Sequence, residues 1–285
     1  MEKTIYNFKI VADSGSDTLI AKDVPFTLAP LKILTDNKEY VDNAYLNVEE
    51  MVNDLLKYNG KSSSACPGIG DWLSAFEGAK HVFCMTITSN LSGSYNSAMV
   101  AKRDYEFNHP DRKVYVIDSL SAGPEMKLII EKLNDLIKSG KEFEEIVKEI
   151  EEYKKHTGLL FMLESMKNLA NNGRISPIVA KAAGFLGIRI VGKASDMGTL
   201  EPLDKCRGEN KALESIVNNM RKLGHCGGKV KIGHCLNENA AKELKEMLVK
   251  EFNSIVEIYK TRGLCSLYAE KGGLMIGFEK AGATA

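Results

Sequence analysis

An α/β fold of two domains, the first built on a mainly parallel sheet and the pair enclosing a ligand cleft, is the architecture that the sequence predicts. Three observations carry that expectation. The chain has 285 residues, more than one domain commonly holds. Its first half alternates short apolar runs with amphipathic stretches, as strands joined by helices do in a parallel sheet. No tandem repeat or Pro-rich linker separates the halves, which favours close packing with a cleft between them.

Phe8–Ala12, His81–Thr88 and Lys113–Ile117 read as strands, being β-branched or aromatic in part. Each runs directly into a small polar segment: DSGSD, SNLSGS or DSLSAG. In NVEEMVNDLLKY, Asn47 is placed to cap a helix whose Val48, Met51, Val52, Leu55 and Leu56 share one face. Asp71 is expected to open a second helix in DWLSAFEGAK. The stretch MKLIIEKLNDLIKSG predicts a third that ends at Gly140. Glu/Lys pairs at helical spacing in KEFEEIVKEIEEYKKH predict a solvated helix. The domain boundary is expected near His156, dividing residues 1–156 from 157–285.

The second half opens on the apolar run GLLFMLES and the turn ANNGRIS, a strand and helix closing on Gly173. Val230–His234, Ile255–Tyr259 and Leu274–Phe278 read as strands, and ENKALESIVNNMRKLG and NENAAKELKEMLVKEF as helices between them.

Composition narrows the function. Lys plus Arg total 38 and Asp plus Glu total 38, so no basic excess points to a nucleic-acid partner. The N-terminal MEKTIYNFKIVADSGSD has no apolar signal core, and no run approaches the roughly 20 residues needed to cross a bilayer. A cytoplasmic location without stable membrane insertion is expected. Cys66, Cys84, Cys206, Cys226, Cys235 and Cys265 form no CxxC pair, which fits reduced thiols. His225-Cys226 and His234-Cys235 are adjacent pairs whose members point to opposite faces of a strand, so a metal site is disfavoured.

Chemistry concentrates in loops. The three Ser/Gly segments stand at the C-terminal ends of strands, where ligands of open parallel sheets gather, and a fourth polar loop, KSSSACPGIGDW, precedes a helix. Hydroxyls, flexible glycines and helix N-termini together make a cradle for a carboxylate or phosphate. Each serine taken singly is explained as a cap or turn residue; four such loops together favour a ligand. Neither GxxxxGK[ST] nor GxGxxG is present, which disfavours nucleotides, and no GxSxG elbow is present for a serine hydrolase. His234, ending a strand, reads as a hydrogen-bonded structural residue. Asp13 and Asp118 are either paired acids or acceptors of loop N–H groups that fix the cradle, the second being preferred.

VADSGSD, ITSNLSGSYNSA, VIDSLSAG, NNGRIS and Arg207 in DKCRG follow the order seen in DegV proteins, and by these motifs the chain resembles that family along nearly its whole length. LSGSYNSA is similar to the family's LSGTYxSA. SACPGIGDW resembles its Thr-Ser-Gln/Cys-Pro-Ser-Pro loop, which places Ser64 where the family has a ligand-binding Thr. The resemblance implies a long-chain fatty acid in an apolar tunnel, no other cofactor, and no catalytic residue of the chain's own. Ser64 and Ser92 would hold the carboxylate, with Gly93 and Ser94 in the same loop and Tyr268 opposite.

Some members of the family are the binding subunit of a fatty acid kinase, presenting the acid to a separate ATP-binding subunit. Arg207 matches an arginine of that docking, and Arg174 matches a structural turn. Two departures stand out: Tyr268 occupies the position of the His in the family's HxGPG, and ACPGIG replaces a Ser-Pro segment. A phenol donates a hydrogen bond but does not titrate near neutrality as His does. The alternative is a hydrolase or acyltransferase using Ser92 or Ser64 as nucleophile.

Overall fold

The computed structural model describes residues 5–178, 180 and 187–283. The first sheet contains β1 (Tyr6–Asp13), β2 (Phe26–Ala29), β6 (Ala79–Thr86) and β7 (Lys113–Asp118), all parallel, in the order β2-β1-β6-β7. Val11 pairs with Thr27 on one side and Cys84 on the other. These central strands are covered on both faces and are therefore continuously apolar. Val82 and Cys84 face the helices α2 (Ile69–Phe76) and α3 (Ser94–Asn108), whereas Phe83 and Met85 face α4 (Pro124–Lys138) and α5 (Phe143–Lys155).

A three-stranded antiparallel sheet of β3 (Lys32–Leu34), β4 (Glu39–Val41) and β5 (Ser63–Ala65) lies beside it, in the order β4-β3-β5. It sets Ser64 opposite Ile33. The helix α1 (Val48–Lys57) begins as its sequence predicts, with the Asn47 carboxamide accepting the Glu50 N–H at 3.2 Å.

The second half forms a six-stranded sheet from β8 (Thr157–Leu163), β9 (Ile188–Ala194), β10 (Leu200–Arg207), β11 (Lys229–His234), β12 (Ile255–Lys260) and β13 (Leu274–Glu279). Its order is β10-β9-β8-β13-β11-β12, antiparallel except for β11 with β12. The helices α7 (Glu209–Lys222) and α8 (Glu238–Phe252) cover one face, burying Leu213, Ile216, Leu244 and Leu248 against Leu160 and Ile232. On the other face α4 packs against β13 so closely that a Cβ at Gly277 would lie 2.4 Å from the Glu125 nitrogen. The Lys231 ammonium on β11 reaches Glu131 of α4 at 2.6 Å and also pairs with Glu257. Two short helices, α6 (Lys167–Asn171) and α9 (Gly263–Ala269), complete the described elements used below.

Three local expectations change. The helix in KEFEEIVKEIEEYKKH is amphipathic rather than wholly solvated, because Phe143, Ile146, Ile150 and Tyr153 enter the core. Asp71 does not open its helix; the helix begins at Ile69, and the Asp71 carboxylate reaches back to the Gly68 N–H at 2.8 Å. The polar loop KSSSACPGIGDW contains β5, whose three residues are too few for a periodicity to register. No helix among the described residues is long and apolar enough to cross a membrane.

Candidate functional site

The C-terminal ends of the parallel strands face the sheet surface that α7 and α8 leave uncovered, and between them lies a cavity of about 700 Å³ including its mouth. That volume falls in the range of roughly 300–1,000 Å³ usual for small-molecule sites. Its walls are apolar: Leu31 before β3, Ile87 and Leu91 after β6, Leu159 and Phe161 on β8, and Met275 on β13. Among the described lining residues four carry a hydroxyl or a charge, namely Ser64, Ser92, Arg174 and Tyr268.

Those four converge. Ser64 on β5 and Tyr268 on α9 share a hydrogen bond of 2.7 Å between their hydroxyls. Arg174 follows the turn that Gly173 makes with φ 72°, a conformation glycine adopts without strain. Its Nε donates to the Leu91 carbonyl at 3.2 Å and its terminal nitrogen to the Asn172 carbonyl at 2.6 Å. The guanidinium therefore sits 5.8 Å from the centre of the Tyr268 ring, within cation–π range. A planar cation held beside the bonded Ser64 and Tyr268 hydroxyls in an otherwise apolar cavity is suited to an amphiphile with an anionic head.

The helix that delivers Tyr268 is anchored from the first half of the chain. Both oxygens of the buried Asp42 carboxylate accept N–H groups at its start, from Gly263 at 2.9 Å and Leu264 at 2.8 Å. Asp17, in left-handed conformation with φ 54°, accepts the Arg262 N–H at 2.8 Å. Burial pushes the Asp17 carboxyl up to about 7 and raises that of Asp42 as well.

The remaining loop polar groups face inward. Asp13 ends β1 with no exposure. Its carboxylate accepts the Gly15 N–H at 3.1 Å, the Ile87 N–H at 2.9 Å and the Ser94 hydroxyl at 2.5 Å. Burial outweighs these bonds and pushes the Asp13 carboxyl up to about 7. Asp118 accepts the N–H groups of Ser89 and Leu120, both at 3.1 Å. In the DSGSD loop Ser14 accepts the Leu31 N–H and Ser16 donates to the Asp13 carbonyl. In the DSLSAG loop Ser119 donates to the Ser121 carbonyl and Ser121 to Glu125.

Of the residues singled out by sequence, Ser64, Ser92, Tyr268 and Arg174 meet at the cavity. Gly93 and Ser94 stand behind it: the Ser94 hydroxyl is turned to Asp13, and its amide donates to the Ser92 oxygen at 3.3 Å. Arg207 is exposed at the end of β10, outside the cavity lining. His234 is buried and accepts the Asn237 N–H. Among the described residues no group of three or more His, Cys, Asp and Glu could hold a metal ion. The turn reading of Arg174 left out its side chain, which no local signal aims at Tyr268. The apolar walls at Leu31, Cys265 and Met275 were likewise unread.

A family model described as "Uncharacterised protein, DegV family" matches residues 7–281. A DegV domain-containing protein of Streptococcus pneumoniae is 45% identical over 277 residues, covering 95% of this chain and 99% of that protein. The structure of a DegV family protein from Eubacterium eligens loaded with heptadecanoic acid superposes with a TM-score of 0.94 at 44% identity. That of the Streptococcus pneumoniae fatty acid kinase B3 protein loaded with linoleic acid does so with the same TM-score and identity. Each alignment covers 96% of this chain and 99% of the other.

Proposed function

The chain belongs to the DegV family, and from that premise we propose that it binds a long-chain fatty acid, tail in the apolar cavity and carboxylate at the cluster of Ser64, Ser92, Tyr268 and Arg174. The observation that carries the reading is the segregation of the cavity lining: apolar walls, with Ser64 bonded to Tyr268, Arg174 over the Tyr268 ring, and Ser92 next to Leu91, whose carbonyl Arg174 holds. A carboxylate entering there replaces the mutual bond of Ser64 and Tyr268 with one bond from each hydroxyl, while Ser92 donates a third and Arg174 supplies the counter-charge. Burying about 15 methylenes at about 0.8 kcal/mol each yields a gross gain on the order of 12 kcal/mol. The ordering of tail and head group reduces it.

The protein acts as a carrier rather than as a catalyst. Among the described residues no His, Asp, Glu or Lys lines the cavity beside Ser64 or Ser92, so among them neither serine has the neighbouring base that an attacking hydroxyl needs. A separate ATP-binding kinase subunit is the partner to which the bound acid is presented, with exposed Arg207 on the docking rim; a permanently charged, planar guanidinium suits contact with carboxylates or phosphates across an interface. Solvent extraction and mass spectrometry of the purified native protein should recover a fatty acid. Ser64→Ala with Ser92→Ala should weaken its binding by more than either change alone, each by about 1.5–3 kcal/mol. An empty extract, together with no rise in melting temperature on adding fatty acids, would sink the reading.

A further inference from the structure

Asp13 is tied to the cavity-lining Ser92 by way of Ser94, although its own side chain is not part of the lining. The Ser94 hydroxyl bonds its carboxylate at 2.5 Å, and the Ser94 amide bonds the Ser92 hydroxyl oxygen at 3.3 Å. Ser92 lines the cavity. The carboxylate is fully buried, and its hydrogen-bond partners are neutral: the Gly15 and Ile87 amides and that hydroxyl. The titratable groups facing it are Asp42 from the segment after β4, Cys84 on β6 and Cys265 on α9, none of them cationic. Arg174, the cation of the site, is held instead by the Leu91 and Asn172 carbonyls.

We propose that Asp13 is a positioning residue of the fatty-acid site and that it takes up a proton from solvent when the ligand carboxylate docks on Ser92. The inference rests on the fatty-acid reading above. A docked carboxylate adds a second negative charge three hydrogen bonds from Asp13, by way of Ser92 and Ser94, and an acyl tail removes screening water from the cavity wall. Both effects disfavour the ionised form of a neighbouring buried acid. In the balanced step the Asp13 carboxylate gains one proton, no covalent bond to the ligand forms, and the net charge of the site is unchanged by binding. The Asp13 carboxyl of the free protein already titrates at about 7, so the coupling operates around neutral pH.

Calorimetric titration with decanoate below its aggregation concentration, in phosphate and in Tris at the same pH, reads the proton directly. Between about pH 7 and 8 the heats should differ by an amount equivalent to uptake of a large fraction of one proton, and affinity should fall as pH rises, approaching about tenfold per pH unit. Asp13→Asn should bind without uptake. Ser94→Ala removes a bond that favours the charged acid, so it should move the midpoint of the uptake to higher pH. Measurable binding with equal heats in both buffers overturns the proposal, as does uptake that persists in Asp13→Asn. Failure of any fatty acid to bind at any pH is a different result, which removes the binding reading and this inference with it.

Discussion

At the scale of single residues, Tyr268 and Arg174 divide the work of holding an anion. Tyr268 offers a neutral donor already oriented by its 2.7 Å bond to Ser64, and Arg174 offers charge and a rigid fork. Tyr268→Phe should therefore weaken fatty-acid binding by about 1 kcal/mol or more, with the slope of affinity against pH unchanged. Arg174→Ala should cost more, about 1.5–3 kcal/mol, because it removes a charged partner. Arg174→Lys should restore only part of that, since a lysine cannot hold both the Leu91 and Asn172 carbonyls while facing the ligand. Calorimetry on the three variants checks the ranking, and equal affinity of Arg174→Ala and the parent would place the head group elsewhere.

At the scale of elements, the site depends on a seven-residue helix that is too short to hold itself. The N–H groups at its start are satisfied by Asp42, which lies far back in the chain, and its Leu264, Cys265, Tyr268 and Ala269 line the cavity. Gly263 is required there by space rather than by conformation, since a Cβ would come within 2.7 Å of the Asp42 carboxyl carbon. Asp42→Ala should lower stability by roughly 1–2 kcal/mol, the range seen when a helix start loses its acceptor, and should weaken ligand binding in the same variant. Denaturant melts and titrations report the two effects. A variant with parental values of both would show that the helix keeps its place without Asp42.

At the scale of the molecule, buried acids with raised pKa values shape how stability varies with pH, Asp13 and Asp17 among them. Asp13 and Asp17 titrate at about 7 in the folded protein against a reference of 3.8, so between those limits the folded state holds more protons than the unfolded one. Stability then decreases as pH rises from about 4 to about 7 and levels off above, where both acids are ionised in either state. Each acid can contribute on the order of 4 kcal/mol to that decline. Asp17→Asn keeps a residue that tolerates left-handed backbone and removes the charge. Its melting temperature should exceed the parent's at pH 8 and equal it near pH 4. Parallel curves for the two proteins across that range would exclude Asp17 as a source of the dependence.

Local pattern was enough to read three of the four parallel strands, β2 excepted, the Asn47 cap, the turn at Gly173 and the loops in which ligand groups stand, because strand alternation, helix capping and left-handed turns are decided by residues a few positions apart. The order of motifs from VADSGSD to DKCRG added the family and the roles expected of Ser64 and Ser92. Short strands such as β3 to β5 escaped, since three residues carry no periodicity, and so did β10, which the polar pattern of LEPLDKCR disguises at the sheet edge. What the chain alone could not disclose is which of its many hydroxyls face the cavity and which face the core. Ser94 and Ser92 are two residues apart, yet only tertiary packing turns one to a buried carboxylate and the other to the cavity. Ser64 meets Tyr268 for the same reason: contacts between distant segments follow from how the two sheets and the anchored helix pack, which no window of sequence contains.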